Sequence, residues 1–194
     1  MKTNISTMSN HNNTGYLEII LGCMYAGKTS RIVEIYKKYN FCNKSILVIN
    51  HSLDDRYDTT EEELSTHDKI KIPCIKTNRL LDLCIDNEYD VVLINEGQFF
   101  DDLEEFVKMM LDKNKKIYVC GLDGDFKRQK FGKILDLIPL CDKVEKLTSL
   151  CSICRDGTPG IFSQRISLEK EQTVVGANNY IPVCRKCYVN EPNL

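Results

Sequence analysis

The sequence has no apolar run approaching the roughly 20 residues needed to cross a bilayer, which excludes a membrane-spanning helix. Its first residues lack the apolar core of a secretory signal, so the protein is expected in the cytosol. Excess charge is missing as well. With 26 basic and 28 acidic residues the net charge is only -2, and the electrostatic drive toward nucleic acid or anionic lipid is absent. No internal repeat is visible. A nucleotide-sized partner fits this balance better than a polyanion.

Cysteine is abundant, with ten in 194 residues. A reducing compartment argues against a disulfide framework. Six of them, Cys23, Cys42, Cys74, Cys84, Cys120 and Cys141, are scattered through apolar segments and strand ends and are expected as buried small hydrophobes. The remaining four form two CxxC pairs, Cys151/Cys154 and Cys184/Cys187, with 29 residues between them. Thiolates two residues apart share one face of a metal, and two such pairs complete a closed tetrahedral Zn²⁺ site with no open position for catalysis. The competing readings are a dithiol redox pair and a nucleic-acid zinc ribbon, the latter disfavoured by the near-neutral charge.

Residues 22 to 29, Gly22-Cys23-Met24-Tyr25-Ala26-Gly27-Lys28-Thr29, match GxxxxGK[ST] and follow the apolar run Tyr16 to Leu21. The glycines let backbone N–H groups turn inward around an anion. Lys28 then reaches the β/γ-phosphates, and the Thr29 hydroxyl is placed to ligate Mg²⁺. From Lys28 through Ser30 to Tyr39 the apolar residues recur at helical spacing, which supplies the strand, loop and helix order the motif requires.

Strand-like runs recur at 16–21, 45–50, 90–95, 116–121 and 143–147, with helical patterns at 28–39, 79–87 and 102–113. This alternation predicts an α/β fold with a parallel sheet covered on both faces. Asp101 is a candidate cap for the third helix, whose first turn holds Glu104 and Glu105. Residues 1–14 read as a disordered tail, 15–149 as a P-loop nucleotide-binding domain, and 150–190 as a small appendage, which needs a metal to fold because it has few large apolar residues. The polar stretch from His51 to Glu63 reads as a surface loop.

The run Val91 to Ile94 ends in Asn95-Glu96-Gly97-Gln98-Phe99-Phe100. In a P-loop fold the strand beside the phosphate loop carries at its C-terminal end the acid of the Mg²⁺ shell, so this segment is expected over the cradle, with Glu96 the nearest carboxylate to accept the proton of an attacking hydroxyl.

Together with Leu122-Asp123-Gly124-Asp125-Phe126, Phe131-Gly132-Lys133-Ile134 and the Val175-Gly176-Ala177 and Tyr180 segment between the cysteine pairs, these motifs resemble the zinc-containing, cytosolic-type thymidine kinases from about Gly15 to Tyr188. The resemblance implies a RecA-like α/β core with a zinc-held lasso, and transfer of the ATP γ-phosphate to the 5′-hydroxyl of thymidine or deoxyuridine. It further implies a cytoplasmic homotetramer inhibited by thymidine triphosphate, with no nucleic-acid or membrane partner. By position, Glu96 matches the general base, and Gly22 to Ser30 with Arg56 the ATP and phosphate residues. Thr29 and Asn95 fall at the Mg²⁺ shell. Met24, Phe99, Leu122 and Phe126 match the lining around the base, while Phe162, Ser163, Val174, Gly176 and Tyr180 fall in the lasso.

Four residues depart from the family pattern. Asn95 stands where Asp is usual, Cys23 where Pro is frequent, Ala26 where Ser is common, and Ser163 where Thr is usual. The neutral amide at 95 keeps geometry but not charge. Loss of a hydrogen bond to a charged group, about 1.5 to 3 kcal/mol, would slow catalysis or weaken metal binding by roughly 10 to 150 fold. This leaves a second expectation beside the active kinase, a catalytically weakened regulatory protein that holds nucleotide. Compensation by Asp123 at the end of the following strand is a further alternative.

Overall fold

The computed structural model describes residues 14–54, 63–66, 68–85, 88–174 and 176–189. Its centre is a six-stranded parallel sheet in the order β5-β2-β6-β7-β1-β8. These strands are β1 (Tyr16–Gly22), β2 (Ile46–His51), β5 (Ile75–Thr77), β6 (Val91–Ile94), β7 (Lys116–Gly121) and β8 (Lys143–Leu147). A parallel sheet with both faces covered needs strands apolar on both sides. The sequence of β1, Tyr-Leu-Glu-Ile-Ile-Leu-Gly, supplies this, and every residue after Tyr16 is buried.

Alternation along β1 sends Leu17, Ile19 and Leu21 into one core and Ile20 into another. Helix α1 (Lys28–Phe41) covers the second face with Ile32, Val33 and Ile35. Helix α2 (Leu103–Asp112) covers the first with Leu103, Phe106, Val107 and Met110, a stripe at i, i+3, i+4 and i+7. A 3₁₀ segment, Ile134–Leu140, packs Ile134 and Leu137 beside it.

The appendage is built differently. Short antiparallel pairs join β9 (Ser149–Leu150) to β10 (Pro159–Gly160) and β11 (Phe162–Arg165) to β12 (Tyr180–Val183). Among the described residues its buried apolar cluster comprises Cys151, Val183 and Cys184, with Phe162, Ile181 and Tyr188 partly buried against it.

Several expectations are corrected. Residues 79–85 form turns instead of a helix, closed by Leu83 N–H to Leu80 O and Ile85 N–H to Leu83 O, and 86–87 lie outside the described residues. Leu80 and Ile85 still enter the core, so the apolar pattern signalled burial, while too few successive turns form to sustain a helix. Asp102, not Asp101, occupies the N-cap of α2, and its carboxylate accepts Leu81 N–H at 2.9 Å instead of capping the helix. The polar stretch after His51 ends in unanticipated strands, β3 (Glu63–Ser65) and β4 (Lys71–Pro73), before β5 adds to the sheet edge. Of the six scattered cysteines, Cys23, Cys74 and Cys120 are buried, Cys141 is half-buried, and Cys42 and Cys84 are exposed. The expected tail falls almost wholly on residues 1–13, outside the described residues.

Candidate active site

Gly22 ends β1 where no larger residue fits, since a Cβ there would lie 2.8 Å from Leu147 O. The loop then turns through left-handed backbone at Tyr25 (φ 62°) and Gly27 (φ 83°) before α1 begins. At Gly27 the surroundings are open, so it is the backbone conformation that asks for glycine. Lys28 is only 8 % exposed and donates from Nζ to Cys23 O at 2.8 Å, curling across the loop it closes.

The loop opens into a cavity of about 920 Å³. Met24 to Ser30 form one end, and Glu96, Phe99, Leu122 and Phe126 form a wall. Ser163, Val174, Gly176 and Tyr180 close it from the appendage. Thus residues predicted from four separate motifs meet in one space. Gly22 and Cys23 lie behind the loop, and the Cys23 thiol donates to Gly160 O at 3.2 Å. Burial, the largest influence on this thiol, raises its pKa. Arg56 lies outside the described residues.

Glu96 follows β6 in left-handed backbone (φ 53°) and is 5 % exposed. Gln98 Nε2 donates to Glu96 Oε2 at 2.6 Å, while Gln98 Oε1 accepts Leu122 N–H at 2.9 Å. One amide therefore fixes the carboxylate and the adjoining wall together. Gln98 was given no role in the sequence reading, although its place two residues after Glu96 was the signal. Strand β6 is not beside β1, because β7 lies between them. Glu96 reaches the cavity through the turn after β6 and not through strand adjacency.

Two predicted residues sit elsewhere. Phe162 packs against Tyr188, ring centroids 5.3 Å apart, beside the cysteines and not in the cavity lining. Asn95 is 1 % exposed and is likewise absent from the lining. Its Nδ2 donates to Asn50 Oδ1 at 2.9 Å and its Oδ1 accepts the Cys120 thiol at 3.0 Å, so both ends of its amide are engaged by buried side chains. Asp123, the residue named as a possible compensation, pairs with Lys146 at 2.6 Å and does not line the cavity.

The cover over the cavity has an organiser that the sequence reading missed. Arg165 is 2 % exposed, and its guanidinium lies 3.8 Å from the Phe126 ring centroid. It donates to the carbonyls of Glu169, Glu171 and Gln172 and to the Tyr180 hydroxyl. Gln172 in turn donates to Asp125 Oδ2 at 2.7 Å, and Tyr180 to Val174 O at 3.2 Å. A planar guanidinium with several fixed donors suits this task, gathering successive carbonyls of a segment that has no sheet partner.

Behind the cover, the ligand atoms of Cys151, Cys154, Cys184 and Cys187 lie within 4.8 Å of one another. The Cys154 backbone N–H, first among several donors, holds the Cys151 thiol down at about 6. Shared hydrogen bonding with Cys154 pushes Cys187 up to about 12. Four thiols this close cannot all ionise alone, and a divalent cation between them removes that conflict. The donor set fits a structural metal. Tyr188, next to the last cysteine, donates to Phe126 O at 2.6 Å and so ties this site to the cavity wall.

The comparisons with known proteins agree with this geometry. The thymidine kinase family model matches residues 15–188. The chain belongs to the thymidine kinase family. Among curated members, the thymidine kinase of Yaba monkey tumor virus is 42 % identical over 180 residues, covering 92 % of this chain and 97 % of its own. That of Choristoneura biennis entomopoxvirus is 39 % identical over 186 residues, with 91 % and 97 % covered. The thymidine kinase of vaccinia virus strain Ankara is 37 % identical over 179 residues, with 91 % and 98 % covered. Family membership thus extends across the phosphate loop, the Glu96 wall and the cysteine-held cover. Among the described residues no helix is long and apolar enough to cross a membrane.

Proposed function

We propose that this protein is a thymidine kinase that transfers the γ-phosphate of ATP to the 5′-hydroxyl of thymidine, with deoxyuridine as a second acceptor. The observation that carries this reading is the meeting of Lys28, Thr29 and Glu96 with an apolar, strap-covered space in one cavity. The loop amides and Lys28 hold the triphosphate tail, while Met24, Phe99, Leu122 and Phe126 enclose the base. Ser163, Val174, Gly176 and Tyr180 present polar and backbone groups to its edge. Glu96 accepts the 5′-hydroxyl proton as the new oxygen–phosphorus bond forms and the bond to ADP breaks. Gln98 keeps the Glu96 carboxylate aimed during this step. Mg²⁺, when bound with ATP, supplies positive charge at the phosphates, with Thr29 as its loop ligand. Zn²⁺ held by Cys151, Cys154, Cys184 and Cys187 would be structural.

On this reading residues 15–149 are the nucleotide-binding unit and 150–190 the cover that excludes water from the reaction. The same reading carries a cytoplasmic homotetramer inhibited by thymidine triphosphate. Nothing in the cavity favours the regulatory alternative.

The test is ADP formation by zinc-loaded protein given ATP, Mg²⁺ and each natural deoxynucleoside plus deoxyuridine. Turnover confined to thymidine and deoxyuridine is expected, and turnover with purine deoxynucleosides would overturn the assignment. Glu96→Gln is expected to lower kcat by about 10² to 10⁴ fold with little change in nucleoside affinity. Full turnover in that variant would remove the general-base role.

A further inference from the structure

Asn95 belongs to a buried polar chain that runs across three elements. The Cys120 thiol on β7 donates to Asn95 Oδ1 at 3.0 Å, and Asn95 Nδ2 donates to Asn50 Oδ1 on β2 at 2.9 Å. Asn50 Nδ2 then donates to Asp54 Oδ2 at 3.1 Å. Asn50 and Asn95 are both buried, whereas Asp54 lines the cavity together with Lys28 and Thr29.

The direction of this chain is set by chemistry. An ionised carboxylate only accepts hydrogen bonds, so Asn50 must turn its NH₂ toward Asp54 and its oxygen toward residue 95. Residue 95 must then be a donor at that end. An amide meets this requirement and a carboxylate does not. At its other end Asn95 presents an oxygen, which suits the weak donor on Cys120. Each link therefore fixes the orientation of the next, from the sheet interior to the cavity rim.

We propose that Asn95 and Asn50 are positioning residues that hold the Asp54 carboxylate at the phosphate end of the cavity. The negative charge missing at 95 is thus carried at 54, where it faces the space that Mg·ATP would occupy. The neutral residue is a matched part of the site and not a lesion in it. This inference rests on the phosphotransfer reading for the identity of the ligand, while the chain itself stands on geometry alone.

An Asn95→Asp substitution would put carboxylates on both sides of Asn50, which has an N–H to offer at one end only. Without nucleotide, N95D is expected to lower Tm by at least about 3 °C. Calorimetry should show Mg·ATP bound roughly tenfold more weakly by both N95D and D54N, with Mg-free ATP unchanged. In the N95D/D54N double variant the carboxylate moves to the opposite end, and Asn50 can reverse its amide. Its Tm should then return to that of D54N, while Mg·ATP affinity stays as low as in D54N.

Equal or higher Tm and faster turnover in N95D would overturn the proposal, as would additive Tm changes in the double variant. Restored Tm with unaltered Mg·ATP affinity in N95D and D54N would overturn the positioning role. Absence of thymidine phosphorylation in the wild type would instead remove the function proposed above, and the Tm cycle would still read the chain.

Discussion

The sheet and the cysteine-held appendage solve the same problem with different means. The sheet buries two stacks of Ile, Val, Leu and Phe side chains, Phe106 and Met110 among the fully covered ones. Burying a side chain of that kind contributes about 1.5 to 3 kcal/mol, and the layers supply many of them. The appendage buries Cys151, Val183 and Cys184, too few to offset the ordering of some forty residues on the same scale. The lesson is that the sheet carrying the phosphate loop is self-sufficient, whereas on the proposed reading the appendage that closes the cavity depends on a metal held by its four cysteines.

The strongest way to break that contrast is to remove the metal. Chelation, or Cys184→Ser, is expected to abolish thymidine turnover and release the appendage while leaving the sheet folded. Hydrogen exchange would locate the change, with lost protection in 150–188 and retained protection in β1, β6 and β7. Global unfolding on chelation would show that the two regions are a single cooperative unit. Phe106→Ala attacks the other side. It should cost about 3 to 5 kcal/mol of global stability in denaturant titrations and leave bound zinc per chain unchanged. Loss of zinc in a still-folded Phe106→Ala protein would contradict the separation.

The smallest expected effect concerns pH. His51 is buried between Phe99 and Phe100, with ring centroids 5.5 and 4.7 Å away. Burial lowers its pKa below 6.5, against the weaker opposing pull of Glu96 and other carboxylates. A depressed pKa means that the unfolded chain takes up the proton first. The stability gained from the neutral ring is therefore full above the ordinary value and declines as pH falls through 6.5 toward the folded value. His51→Gln, which keeps an acceptor side chain near Leu53 N–H, should flatten the slope of stability against pH below 6.5. An unchanged slope would assign that dependence to other groups.

How much of this was legible in the sequence depended on how local the cause was. The phosphate loop was readable because its glycines, Lys28 and Thr29 act within one strand-loop-helix unit. The cysteine pairs were readable because two short spacings carry most of the information, and the long separation between the pairs did not blur them. The five strands named beforehand all belong to the central sheet; four are runs of almost wholly buried residues, while the edge strand β8 is largely exposed.

What escaped was set by partners far along the chain. Asp102 had no local reason to forgo its capping role, because Leu81 N–H comes from the turns at 79–85. The apolar residues of those turns were visible, but the hydrogen bonds that deny them a helix were not. The destination of Asn95 depended on Asn50 and Cys120, forty-five and twenty-five positions away. The family resemblance places Phe162 and Ser163 together in the lasso that contacts the nucleoside, yet successive residues of a strand face opposite sides. Ser163 faces the loop and cavity, and Phe162 faces the cysteines. Arg165 gave no signal because its four acceptors are mostly backbone carbonyls, which no residue identity announces.

The Ser163 hydroxyl accepts Met24 N–H at 2.9 Å, and the Cys23 thiol reaches Gly160 O. These two bonds stitch the phosphate loop to the appendage that closes the cavity, so neither surface can shift without pulling on the other. If occupancy of one side shifts this seam, it would change the free energy of filling the other, and by thermodynamic reciprocity the influence would be equal in both directions. On the proposed reading donor and acceptor substrates would share that seam.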